Sequence, residues 1–171
     1  MTKKMLFAVI VGFLFLLPSG VFGDYLSPFD KALIQTANNI SKSPNIPKNT
    51  KMVVMGFKES SSRKPLKLSA VIEDDLSNTL INKMPGRIIA KNHIETVLKE
   101  LKITRDDVFD SKNRKQFGKL LSADLIITGS YWLGDGMVNI NIEVVDIENG
   151  LAIFSDRVKV KQNLFSKDLF N

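Results

Sequence analysis

Residues Ser122–Ser155, SADLIITGSYWLGDGMVNINIEVVDIENGLAIFS, decide how this 171-residue chain is read. Leu125, Ile126 and Ile127 form an unbroken apolar run, the pattern of a strand covered on both faces. Gly134-Asp135-Gly136 can take the positive φ that a tight reversal requires. Val138, Ile140, Ile142 and Val144 then alternate with Asn139, Asn141 and Glu143, which gives one buried and one wet face. Asn149-Gly150 turns the chain again, and Leu151–Lys161 returns as a strand ending in alternating charges. Lysines at Lys159 and Lys161 fit an edge strand, where they discourage pairing with another chain.

Upstream, the period changes from two to about four. Met52-Val53-Val54-Met55 reads as a short central strand ending at Gly56-Phe57. Leu68, Ile72, Leu76, Leu80 and Met84 form a helical stripe that Pro85-Gly86 stops. Arg87–Ala90 is expected to be a second strand. Asn92 with Glu95 has the spacing of a capping box for a helix carrying Ile94, Val97, Leu98 and Leu101. Thr104–Asp107 can cap a further short helix. Phe117, Leu120 and Leu121 supply the apolar side of a helix over 111–121. The expected fold is α/β, a mixed sheet of about five strands flanked by helices, with a C-terminal β-hairpin.

The amino-terminal stretch MTKKMLFAVIVGFLFLLPSGVFGDY has a basic start at Lys3 and Lys4, an uncharged apolar core from Met5 to Leu17, and small residues before Asp24. This is the layout of a cleavable export signal, with cleavage expected between Gly23 and Asp24. The apolar core is short for a bilayer span, which takes about 20 residues. Export would leave 148 residues, with 22 basic against 18 acidic side chains and a net charge of +4. The expected layout is a signal over 1–23, an amphipathic helix and linker over 24–50, an α/β domain over 51–161 and a tail over 162–171. Ser27-Pro28 starts that helix, and Phe29, Leu33, Ala37 and Ile40 line one side of it.

Cysteine is absent and His93 is the sole histidine. These residues therefore contain no acceptor for thioether acylation, no disulfide and no thiolate metal site. No cofactor or metal is expected, and no catalytic residue is nominated. Ser60-Ser61-Ser62 has no adjacent base. Glu73-Asp74-Asp75 cannot converge on one cation from consecutive helical positions, and a role near a helix start is expected instead. The basic excess favours anionic envelope surfaces, while the missing aromatic stacking set argues against nucleic acid. Two groups are candidates for an interaction surface. Tyr131 and Trp132 beside the turn form one, with burial against the hairpin as the competing reading. Arg114, Lys115 and Lys119 form the other, with a simple solvated face as theirs.

Four pieces in order, MVVMGFKES, LSAVIEDDLSNTLINKM, GRIIAKNHIETVLKEL and FGKLLSADLIITGSYWLGDGMVNINIEVVDIENGLAI, resemble the FlgO/CsgG-type envelope domain. The likeness rests on Gly56-Phe57, Leu68-Ser69, Ile94, Val97, Glu100 and Leu101. It continues through Gly118, Leu120, Leu121, Ala123 and Asp124, then Thr128-Gly129-Ser130, Val144-Val145-Asp146 and Gly150. It spans about residues 51–160. Similar domains occur in outer-membrane activators of cell-wall synthases and in the N-terminal part of TolB. The resemblance implies a TolB-N-terminal-like fold and a non-enzymatic role through protein contacts at the envelope. It suggests a periplasmic assembly factor of the flagellum, peripheral to the outer membrane and not lipidated, whose partners are envelope or flagellar proteins or a second copy of the chain. Regulation of a cell-wall synthase is the alternative, and a periplasmic ligand-binding protein or enzyme is a more distant one. No alternating segments are left over for a curli-type pore, and no membrane span is expected after cleavage.

Overall fold

A computed structural model of the chain describes residues 26–61 and 66–170. The apolar stretch over 5–17 and the Gly23/Asp24 cleavage position lie outside those residues. The main elements run α1 (Pro28–Lys42), β1 (Met52–Val54), β2 (Lys58–Glu59), α2 (Lys67–Lys83), α3 (Lys91–Leu101), α4 (Ser111–Leu121), β3 (Leu125–Gly134), β4 (Met137–Asp146) and β5 (Ala152–Lys161). They form a five-stranded mixed sheet in the order β1-β3-β4-β5, with β2 adding to β3 beyond β1. β1 and β2 lie parallel to β3, which requires the long helical crossover between them. β3, β4 and β5 form an antiparallel meander.

Asp135 and Gly136 both take positive φ, 53° and 68°, the signature of the type I′ reversal that joins β3 to β4. The Asp135–Gly136 pair is thus the turn expected from the sequence. Ser27 caps α1 reciprocally: its hydroxyl accepts from the Asp30 amide at 3.1 Å, and the Asp30 carboxylate accepts from the Ser27 amide at 2.9 Å.

The sheet separates two hydrophobic cores of unequal extent. On one side, α1 and α2 bring Phe29, Leu33, Ile40, Leu68, Ile72, Leu76 and Leu80 against Val54, Ile127, Tyr131, Val138, Ile140, Ile142, Val144, Val158 and Val160. This core runs the full length of the long strands, and the stripe of α1 is an integral part of it. On the other side, α3 and α4 bring Ile94, Val97, Leu98, Phe117 and Leu121 onto Val53, Met55, Ile126 and Ile147. That second core stops near the start of β3. The helices follow their apolar stripes, since burying each such side chain contributes about 1.5–3 kcal/mol.

Three local expectations differ from the structure. Arg87–Ala90 is not a full strand; a single parallel bridge joins Ile88 to Met52 before Ala90 caps α3. The Met52 amide donates to the Arg87 carbonyl and the Ile89 amide to the Met52 carbonyl, and the chain then turns into the helix. The Asn92–Glu95 capping box does not form, because α3 starts at Lys91 and Glu95 turns to Arg105 instead. Finally, α2 begins at Lys67, so Glu73, Asp74 and Asp75 lie past its first turn and do not serve its dipole.

Candidate functional site

The unequal cores leave part of the sheet uncovered. On the side away from α1 and α2, the rows Ser130–Asn141–Arg157 and Trp132–Asn139–Lys159 follow from the register of β3, β4 and β5. Trp132 is half-buried in this face, and the Arg157 guanidinium carbon lies 5.5 Å from its ring centroid. That is stacking distance for a cation over an indole. Arg157, Lys159 and Lys161 are exposed, whereas Glu143 is half-buried and accepts from the Asn141 amide group at 3.0 Å. The open face is therefore basic, with one aromatic side chain, Trp132, on its β3 side and the buried Asn139 between it and Lys159. No helix of the described residues is long and apolar enough to cross a membrane.

The interaction candidates named from sequence do not form one patch. Tyr131 is fully buried, and its hydroxyl lies 3.2 Å from the Ser69 hydroxyl. Burial keeps its phenol above the usual range, against the opposing hydrogen bonds at Ser69 and Leu66. Of the two readings offered for the aromatic pair, Tyr131 follows burial, and Trp132 alone looks outward. Strand alternation causes this split.

Arg114 lies on α4, but its guanidinium is spent on structure. Nε donates to the Ile147 carbonyl at 2.9 Å and Nη1 to the Phe109 carbonyl at 3.3 Å. It also crowds Gly150, where a Cβ would come within 2.6 Å of it. Lys115 pairs with Glu148 at 2.6 Å. Lys119 is exposed beside it on a shallow depression of about 570 Å³ lined also by Asp124, Asp146 and Glu148. Mixed charge gives this hollow no single electrostatic sense. Trp132 is seven residues along β3 from Leu125, so it sits roughly 20 Å from the α4 end of the strand.

The sequence reading missed the most ordered polar site. The carboxylate of Glu73, buried on α2, accepts from the Gly56 amide at 2.8 Å and the Phe57 amide at 3.1 Å. Its other oxygen takes Arg105 at 2.6 Å, and Arg105 also grips Glu95. Burial disfavours the guanidinium charge, but hydrogen bonds to Glu95 and Glu73 outweigh it and raise the Arg105 pKa. Lys58–Asp106 and Lys91–Asp74 flank the same cleft, each at 2.6 Å. Each of these ionised groups is engaged by a partner, so the cleft reads as a brace across the chain reversal after β1. No short motif carries this brace; an amide pair at Gly56-Phe57 recruits a carboxylate sixteen residues later.

The resemblance motif also has local physical causes. Gly118 lets α4 approach the sheet, since a Cβ there would meet Ile147 at 2.4 Å. Ser122 takes a left-handed conformation to end α4, and the Ala123 amide returns to the Gly118 carbonyl at 2.9 Å. Asp124 then accepts from the Lys51 amide at 2.7 Å and fixes β1 beside β3.

Comparison with known proteins agrees with this architecture. The family model for the peptidoglycan-synthase activator LpoB matches residues 29–160. The LpoB C-terminal domain from Salmonella enterica superposes with a TM-score of 0.63 at 12% identity, covering 78% of this chain and 98% of that one. The solution structure of Escherichia coli LpoB gives 0.61 at 10% identity over 94% of this chain and 87% of that one. The lipoprotein GNA1162 from Neisseria meningitidis gives 0.54 at 14% identity over 71% of this chain and 88% of that one. No curated protein matches. At such identities the structures speak for the fold, the mixed α/β sheet flanked by helices.

The family match corrects the sequence reading of function. Flagellar and motility roles, and flagellar partners, are replaced by cell-wall synthase regulation, the alternative weighed from the sequence. The FlgO/CsgG resemblance is supported only as a similar class of envelope domain. Matched over 29–160, more than half its length, the chain belongs to the LpoB family of peptidoglycan-synthase activators.

Proposed function

We propose that this protein activates a peptidoglycan synthase in the bacterial envelope by binding it, without chemistry of its own, through the open face of β3, β4 and β5. Membership of an activator family supports the class of activity. The uncovered, basic face with Trp132 stacked under Arg157 is the observation that carries the choice of surface. A half-buried indole offers a large rigid contact, and the cationic row around it favours an acidic partner surface. The Lys115–Lys119 edge of α4 is a solvated face in this reading. The protein works after export, on the periplasmic side of its membrane.

Binding of the purified protein to the peptidoglycan synthases of the same bacterium tests this. Saturable binding that W132A weakens about tenfold or more, while K119A stays within about twofold, is expected. Equal affinity of the wild type and W132A would move the contact elsewhere on the domain.

A further inference from the structure

Among the described residues, the buried polar side chains are Thr36, Glu59, Ser69, Glu73, Thr128 and Asn139. All but the last have partners. Thr36 donates to Asp156 at 2.8 Å, and Thr128 donates to the Gly56 carbonyl at 3.2 Å. Glu59 accepts from Ser61, Ser69 from the Leu66 amide, and Glu73 from the Gly56 and Phe57 amides. Asn139 is only 8% exposed, yet its carboxamide has no hydrogen-bond partner within the chain. No side-chain nitrogen or oxygen of the described residues is both enclosed and unpaired. The amide atoms of Asn139 therefore reach the surface of the open face, with only the stem of the side chain sealed.

The register sets Trp132 on one side of Asn139 and Lys159 on the other. Arg157, Lys159 and Lys161 are exposed on this face, and none forms an ion pair or a side-chain hydrogen bond. Their opposites are few. Glu143 is engaged by Asn141, Asp135 lies out in the turn, and Asp106 is matched by Lys58. The cations on β5 thus have no carboxylate of this chain to meet. An unpaired, largely buried amide costs the free protein stability, and such a local cost is expected where a site serves binding. A carboxamide offers donors and an acceptor side by side, so its natural complement is another amide, such as a main-chain peptide group. The complement of the neighbouring cations is a carboxylate.

We propose that Asn139 determines the specificity of the open face by pairing with a main-chain peptide group in an acidic segment of the synthase. This rests on the reading that the synthase binds that face. Nδ2 of Asn139 donates to a carbonyl of the partner, and Oδ1 accepts from one of its amides. Arg157 and Lys159 meet Asp or Glu side chains flanking that peptide group. Trp132 excludes water from the pair. A surface that sets an apolar side chain here leaves the Asn139 amide buried and unpaired, and is rejected.

The test compares the full chain with its N139L, N139D and W132A variants, by binding to the immobilised peptidoglycan synthase of the same bacterium and by thermal melts. Leucine is close to asparagine in size and removes the unpaired polar group. N139L should therefore bind about tenfold or more weakly while melting no lower than the wild type. N139D should also bind weakly, because it loses the donor and repels the acidic segment, and part of its loss should disappear at high salt. A melting temperature of N139L that falls along with its affinity would make Asn139 structural and overturn the assignment. Unchanged affinity of N139L and N139D beside a weakened W132A would overturn it too, while leaving the open face as the contact. Unchanged affinity of all three variants, or no binding by the wild type, would remove the reading beneath it and the assignment together. Retention of the wild type but not N139L on isolated peptidoglycan, in place of the synthase, would give the site to the polymer and refute a protein partner.

Discussion

Arg157 lies over the ring of Trp132, 5.5 Å from its centroid, on the side of the sheet that α3 and α4 leave uncovered. The pair joins β3 to β5 across β4, since Trp132 faces Asn139 and Arg157 faces Asn141 in the register. Such a stacked cation contributes about 0.5–1 kcal/mol at an exposed site. Its larger consequence is restraint: the contact limits the indole before a partner arrives, so less side-chain freedom is lost on binding.

The R157E variant separates the electrostatic part of this surface from the aromatic part. It should weaken synthase binding at low salt by about tenfold, and the difference from wild type should narrow as ionic strength rises. Titrations at two salt concentrations check this. A salt-independent loss would place the effect in packing rather than charge.

Glu73 should matter for stability and not directly for binding. Removing it in E73A leaves Arg105 without one partner and the Gly56 and Phe57 amides without an acceptor. Breaking such a buried pair costs about 3 kcal/mol or more. E73Q keeps an acceptor for the amides and should lose less, about 1–2 kcal/mol. Denaturant unfolding of both variants measures the difference.

The glycine at 129 is fixed by close approach. A Cβ there would lie 2.0 Å from the Asn141 carbonyl oxygen and 2.6 Å from the Phe57 ring. G129A should therefore destabilise the domain by at least about 2 kcal/mol, because backbone on the neighbouring strand has to move. Gly136 has open space around it, so G136A should carry only the strain of its positive φ. Comparing the two melting temperatures tests the ordering.

Asp75 contributes one part of the pH dependence of stability. Burial first, then the charges of Asp30 and Asp74, raise its pKa above the ordinary carboxylate range. The folded state thus holds the Asp75 proton to higher pH than the unfolded chain does. The stability tied to that proton is present at low pH and is lost as pH rises through the raised folded value. At neutral pH the charged carboxylate works against the fold, so D75N should raise the melting temperature. That gain should shrink as pH falls towards 4, which thermal melts across the range would show.

These predictions also mark how far the sequence could be read. The stripe Leu68, Ile72, Leu76, Leu80 was legible because one period places all four in one core. The β4 alternation was legible for the same reason at Asn141 and Glu143, although Asn139, expected on the wet face, is buried, and the Asp135–Gly136 turn followed from residues that tolerate positive φ. The opposite fates of Tyr131 and Trp132 were less accessible. Leu125, Ile126 and Ile127 are apolar on both faces, so the start of β3 does not reveal which parity the longer core will follow. Arg87–Ala90 carries strand-like residues, yet only one of them bridges to β1 before the chain enters α3. The Glu73–Arg105 brace depends on two residues 32 positions apart brought together by the crossover, and no local pattern encodes that meeting.

The central claim is activation through the open sheet face. Its most direct test is the rate of peptidoglycan synthesis by the purified synthase of the same bacterium, alone, with this protein, and with its W132A/R157E variant. The rate should rise with the wild-type protein and stay near the unstimulated value with the variant, whose melting curve should match the wild type within a few degrees. No stimulation by the wild type, or equal stimulation by a folded variant, would contradict the account.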